Sequence, residues 1–268
     1  MLLYHLFYNE CKPVNINDLH SFSMKPVETP IVPVIKDIVI DEKEPSPDLL
    51  HKIEQQCIKV TKVQDGLFWS IYIGVYGYTE FLRNKYNYGK LEVREKQKVA
   101  EFVGANTIKT NYKVTRSFCG EMVADLISLP RMVFSGLIGM CACYKCDIYI
   151  VDIVKHTYLS FLGTGTGGGG ETIILYRNPL HTRKFDSNEY FLDEGLTIQS
   201  IEEIRENYYG IEHYNKPLKG ISTYLKTDLE NIARKTVFYG KKTEETETYS
   251  KQELYNHILI FLSSSDSK

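Results

Sequence analysis

Asp65-Gly66-Leu67-Phe68-Trp69-Ser70-Ile71-Tyr72 is the stretch from which the fold can be read. Asp and Gly are turn formers, and an Asp carboxylate can accept from the unpaired N–H groups of a first helical turn. The apolar positions Leu67, Ile71, Val75 and Tyr78 recur at helical spacing, with Ser70 and Gly74 bordering that stripe. The stretch therefore predicts a capped helix start that carries one hydroxyl on its first turns. A helix N-terminus offers partial positive charge and free N–H groups, which suit a nucleophile and a developing oxyanion. A thiol would be activated there. The Ser70 hydroxyl ionises far less readily and needs a neighbouring base, so it reads either as a nucleophile or as a small helix residue packing beside Gly74.

Toward the N-terminus, six of the nine prolines (Pro13, Pro26, Pro30, Pro33, Pro45 and Pro47) fall early in the chain, which predicts an extended arm over residues 1–45. Met1 to Phe7 is apolar but lacks a basic region before it and a small-residue cleavage site after it, so a signal peptide is not expected. Ser46-Pro47-Asp48 reads as an N-cap, a first-turn proline and an acidic first turn, predicting a helix from about Pro47 to Val60.

Downstream, Lys90 to Val103 has Glu92 four residues before Lys96 and reads as a mostly solvated helix. Phe118, Met122 and Leu126 mark a short helix, and Met132 to Lys145 is apolar almost all round, as expected of a helix buried against a sheet. The sheet should follow. Asp147 to Asp152, Thr157 to Phe161 and Thr172 to Tyr176 are β-branched and aromatic runs between turn residues, and Asn188 to Leu192 adds a fourth. Helices followed by a mostly antiparallel sheet predict an α+β domain over residues 46–212. Capping boxes at Ser200, Thr227 and Ser250 open three further helices, the last two forming a helix, extended loop, helix module over residues 213–268.

If Ser70 is a nucleophile, the candidate base is His181, just past a predicted core strand, with Asp186 or Asn188 to orient it; His156, in a turn, competes. Gly163 to Gly170 resembles a phosphate loop in composition only. Glu171 and a strand follow where Lys and a helix would be required, so it reads as a hairpin loop. Cys141, Cys143 and Cys146 are too tightly spaced along one helix end to converge on a metal, and they read as structural thiols. No metal and no cofactor are expected.

The formal net charge of −2 excludes a global field for nucleic acid, so any such contact must be local. No apolar run reaches the roughly 20 residues of a membrane span. Twenty tyrosines against one tryptophan suit half-buried surfaces and protein contacts, although codon bias in an AT-rich genome is the simpler and preferred explanation.

The order of parts resembles a group of uncharacterised proteins of nucleocytoplasmic large DNA viruses. The residues that carry the resemblance are Asp65 to Tyr72, Asn87-Tyr88-Gly89, Glu95-Lys96, Cys146 to Val151 and Lys216 to Tyr224. More distantly, the main domain resembles ovarian-tumour-class, papain-like deubiquitinating proteases, whose Asp-Gly-Asn-Cys-Leu-Phe motif opens a helix. Here Asp65-Gly66 and Leu67-Phe68 match, while the Asn-Cys pair is absent. That resemblance implies a papain-like scaffold with Ser70, His181 and Asp186 at the catalytic positions and the nucleophile replaced. The terminal module resembles SAP-type units, which implies DNA contacts by Lys219, Lys226, Lys235, Lys241, Lys242 and Lys251, with Arg234 beside them. The expectations are a viral, non-catalytic protease-like protein of the virion or infected-host cytoplasm that binds a viral structural protein or a host ubiquitin-type protein. The alternatives are a thiol protease and a DNA-binding accessory protein.

Overall fold

The structure is a computed structural model that describes residues 47–60, 63–163, 170–177, 190–195, 198–238 and 249–263. These all belong to one compact unit, Ile40–Lys268. The expected arm over 1–45, His181, Asp186, Asn188, Lys241 and Lys242 lie outside the described residues.

The fold is α+β, with nine α-helices and a six-stranded mixed sheet among the described residues. In chain order the elements are α1 (Pro47–Gln56), β1 (Ile58–Lys59), α2 (Gly66–Tyr76), α3 (Tyr78–Arg83), α4 (Tyr88–Ala105), α5 (Arg116–Ser128) and α6 (Phe134–Tyr144). There follow β2 (Asp147–Asp152), β3 (Thr157–Leu162), β4 (Thr172–Arg177), β5 (Tyr190–Asp193), α7 (Ile201–Asn207), β6 (Tyr209–Ile211), α8 (Lys226–Lys235) and α9 (Lys251–Ser263).

The strand order is β1-β5-β4-β2-β3-β6. Three pairings are antiparallel, while β2 pairs β4 and β3 pairs β6 in parallel. This departs from the hairpin expected at Gly163 to Gly170, because β3 and β4 are not neighbours. They flank β2, with Leu162 of β3 and Thr172 of β4 both in register with Asp147 at its start. A Cβ on Gly163 would strike the carbonyl oxygens of Cys141 and Cys146, and one on Gly170 would strike that of Lys145. Glycine is needed at these two positions because the backbone at each lies directly against the α6–β2 junction. Another difference is at α1, which stops at Gln56 so that Ile58 and Lys59 can pair with Leu192 and Phe191 of β5.

Alternation along the strands builds a core on each face. Ile148, Ile150, Ile173, Leu175 and Leu192 meet α2, α4, α5 and α6 on one side. Tyr149, Val151, Ile174, Tyr176 and Phe191 meet Ile53 of α1 and Ile204 of α7 on the other. Helix α6 is buried from Ser135 through Ala142, as its all-round apolar sequence requires. Helix α2 approaches β4 so closely that a Cβ on Gly74 would lie 2.8 Å from Ile173 Cδ1.

Two of the three capping boxes form as expected. Ser200 and Glu203 exchange bonds of 2.8 and 3.2 Å, and Ser250 and Glu253 exchange bonds of 2.8 and 3.3 Å. At α8 the helix begins before Thr227, and the Asp228 carboxylate instead accepts from the Leu225 N–H at 2.7 Å. Helices α8 and α9 pack Leu229, Ile232, Leu254 and Ile258 with Leu218 and Phe238 into a third, smaller core.

Candidate functional site

Asp65 caps α2 as its sequence position predicts, accepting from the Phe68 N–H at 3.1 Å through Oδ1. The other oxygen has a role that sequence did not suggest. It accepts from the Met132 N–H at 2.6 Å and pairs with Lys96 Nζ at 2.7 Å. Lys96 also pairs with Glu92 at 2.8 Å, and Glu92 in turn accepts from the Trp69 indole N–H at 2.9 Å. The start of α2, the loop before α6 and the inner face of α4 are thus held by one buried polar network. Lys96 is therefore not on the wet face expected of that segment but 6% exposed. Burial alone would pull its ammonium pKa down. The hydrogen bonds to Asp65 and Glu92 outweigh that effect, and the net shift is upward.

Ser70 sits on the second turn of α2 with no exposed surface, and its hydroxyl donates to the Gly66 carbonyl at 2.8 Å. The residues from Leu67 to Ile73 are all buried. The hydroxyl is therefore satisfied within its own helix. His156, the alternative base, lies in the β2–β3 turn in a left-handed conformation, φ 51°, and stacks on Tyr208 with ring centroids 5.1 Å apart.

A second polar centre, absent from the sequence reading, lies at the carboxyl ends of the parallel strands β2 and β4. It borders a cavity of about 430 Å³ lined in part by Asp152, Lys155, Arg177, Tyr190, Phe134 and Tyr214. Asp152 ends β2, and its Oδ1 accepts the N–H groups of Val154 and Lys155 at 3.1 and 2.9 Å. Its Oδ2 lies 3.8 Å from Arg177 Nη1, an ion pair too long for a hydrogen bond. Tyr190 stands opposite Arg177 in the β4–β5 register. Burial, followed by the opposing effect of Arg177 and the repulsion of Asp65 and Asp152, sets its phenol pKa at about 12. The ammonium of Lys155 donates to the Leu262 carbonyl at 2.6 Å and so secures the end of α9 against this centre.

Three of the terminal-module lysines are engaged within the protein. Lys219 pairs with Glu212 at 2.7 Å and Lys226 with Glu230 at 3.6 Å. Lys235 donates to the carbonyls of Arg205 and Tyr208 at 3.2 and 3.3 Å. Lys251 is half-buried at the start of α9, and Arg234 reaches Asn231. Cys141 and Cys146 are buried, and the Cys141 thiol donates to the Phe161 carbonyl at 3.4 Å. Burial and the hydrogen bond with Cys146 push the Cys141 pKa upward, away from the thiolate a metal or an electrophile would need. Among the described residues no group of three or more His, Cys, Asp or Glu is arranged to hold a metal ion, and no helix is long and apolar enough to cross a membrane.

No protein-family model, curated protein or solved structure matches this chain.

Proposed function

We propose that this chain is a viral, non-catalytic protein built on a papain-like scaffold, which works by binding another protein in the virion or in the infected-host cytoplasm. The observation that carries this reading is Ser70. A nucleophile must reach its substrate and meet a base. The Ser70 hydroxyl instead has no exposed surface and donates to Gly66. The buried pair of Asp65 and Lys96 ties the same helix start to α4, so exposing Ser70 would mean parting two buried charges.

Support for protein binding comes from the aromatic surface beside this helix. Tyr76, Tyr78, Leu82 and Tyr86 are exposed on consecutive turns at the end of α2, along α3 and in the loop that follows. Tyrosines of this kind are enriched where proteins meet. The partner classes that fit are a viral structural protein and a host ubiquitin-type protein. The engaged lysines of the terminal module make DNA the lesser reading.

The test is incubation of the purified full-length chain with ubiquitin-type thioester and isopeptide substrates. The expected result is no turnover above the buffer rate. Turnover that Ser70→Ala abolishes would refute the reading.

A further inference from the structure

The tyrosine surface at the end of α2 carries charge of one sign. From Tyr76 to Lys98 the sequence holds six Lys and Arg against three Glu, in a chain of formal net charge −2. Folding widens that imbalance at the surface. Glu95 is buried and accepts from the hydroxyls of Tyr76 and Tyr144 at 3.3 and 2.9 Å, while Glu92 is taken up with Trp69 and the buried Lys96. The charges left exposed are Arg83, Lys85, Lys90, Arg94 and Lys98, with Glu80 half-buried beside them.

These cations and the tyrosines share one face. Tyr78 stacks on Phe81 with ring centroids 5.8 Å apart, and Phe81 stacks on Tyr88 of α4 at 4.6 Å, which lays α3 along the first turn of α4. Lys90, Arg94 and Lys98 recur every four residues and so form a row along α4. That row ends at α2, where Lys98 donates to the Tyr76 hydroxyl at 2.9 Å. Burial raises the pKa of the nearby Tyr72 phenol, Glu80 and Glu95 add to the rise and Arg94 opposes it, so charges of α3 and α4 both reach this corner. Lys85 lies over the Tyr86 ring at 4.9 Å. The Arg94 guanidinium is 3.8 Å from Glu95, too far for a hydrogen bond, and among the described residues no ion pair or hydrogen bond engages the ammonium groups of Lys85 and Lys90.

A basic face of this kind attracts an anionic partner, and its uncharged part decides which. Single-stranded nucleic acid would stack bases on free ring faces beside a row of phosphates. Here Phe81 already covers one face of Tyr78, Lys85 one face of Tyr86, and Glu80 stands among the cations. Leu82, 47% exposed between the tyrosines, offers aliphatic surface instead. We propose that this face binds a protein segment rich in Asp and Glu with apolar side chains between them. Its carboxylates meet Lys85, Lys90 and Arg94, and its apolar side chains cover Leu82 and the flanking tyrosine rings. This rests on the protein-binding role proposed above and names the chemistry of the partner.

The probe is a fluorescein-labelled, Glu-rich peptide of about 12 residues with Leu spaced along it, long enough when extended at roughly 3.3 Å per residue to cross the face. It is titrated with the full-length chain by fluorescence anisotropy at about 50 mM salt. Saturable binding below about 100 μM is expected. Replacing every Glu by Gln, or every Leu by Ser, should each weaken it about tenfold or more, and so should the triple variant Lys85→Glu, Lys90→Glu, Arg94→Glu. The peptide comparison uses the unaltered chain, so it stands even where the variant misfolds. Absence of saturable binding up to about 1 mM, equal binding of either altered peptide, or unchanged binding by the folded triple variant overturns the proposal. Labelled oligothymidine that binds more tightly than the peptide and is lost in the triple variant overturns it in favour of nucleic acid. Failure here leaves the absence of turnover untouched, and turnover abolished by Ser70→Ala would leave this binding untouched.

Discussion

The Lys96 ammonium lies 2.7 Å from the Asp65 carboxylate, with the two side chains 7% and 2% exposed. Removing one member of a buried pair leaves the other charge uncompensated, and that is the costly change. Lys96→Met is therefore expected to destabilise the chain by about 3–5 kcal/mol. Asp65→Ala, which also removes the α2 cap and the acceptor for Met132, should cost at least as much. The double variant should cost clearly less than the sum, and urea denaturation of all four proteins measures that coupling.

Alkaline pH should unfold the protein in a defined window. Tyr112, Tyr144, Tyr176 and Tyr190 all have phenol pKa values raised above the ordinary value, each chiefly by burial. A raised folded-state value contributes stability that is fully present below the unfolded value, near 10, and is lost as pH rises toward the folded value. Tyr190, at about 12, should account for on the order of 2–3 kcal/mol of that loss. The raised ammonium of Lys96 acts in the same direction and the same range. Stability measured from pH 8 to 11 should be flat and then fall from about pH 10, with a shallower fall in Tyr190→Phe.

Gly74→Ala tests the approach of α2 to β4. The added methyl would meet Ile173 Cδ1 at 2.8 Å and Cγ1 at 3.0 Å. Overpacking of this kind costs about 1–3 kcal/mol, which exceeds the roughly 1 kcal/mol that alanine gains over glycine in a helix. Ile173→Val, which deletes the closest atom, should recover part of the loss when combined with it. Thermal denaturation of the single and double variants distinguishes this from independent effects.

Lys155→Met tests how the terminal helix is held. The ammonium donates to Leu262 at the last turn of α9, where the helix dipole is negative. Its removal should raise hydrogen exchange across Lys251–Ser263 while leaving β2 and β4 protected. Uniform loss of protection throughout the chain would show that the contact is not a local latch.

The elements themselves were largely legible. Apolar spacing locates α2, the Glu92–Lys96 charge pattern locates α4, a run apolar on all sides locates α6, and β-branched runs locate β2, β3 and β4, because each of these signals is local. The sheet order was not legible, since the parallel pairing of β4 beside β2 is a tertiary choice that leaves no local pattern beyond the glycines at 163 and 170 that lie against the α6–β2 junction. Strand β1, at two residues, is too short to leave a pattern. Glu92 and Lys96 announce themselves as an i, i+4 pair, but nothing local indicates that Lys96 turns inward to Asp65. Asp152 and Arg177 are merely charges at strand ends until the parallel register sets them side by side. Ser70 is instructive in the opposite sense. Its neighbours Leu67, Phe68, Trp69, Ile71 and Ile73 already describe a helix apolar on nearly every side, which makes a buried hydroxyl the expected outcome.

The proposed role turns on whether position 70 can meet a substrate. The most direct measurement is reaction of folded Ser70→Cys protein with a thiol-directed ubiquitin-type probe, compared with the unaltered chain and mapped by mass spectrometry to separate the introduced thiol from the six native cysteines. The account predicts that the introduced thiol stays unlabelled while the protein is folded and is modified by a small thiol reagent only after denaturation. Labelling at position 70 by the probe under native conditions would contradict it.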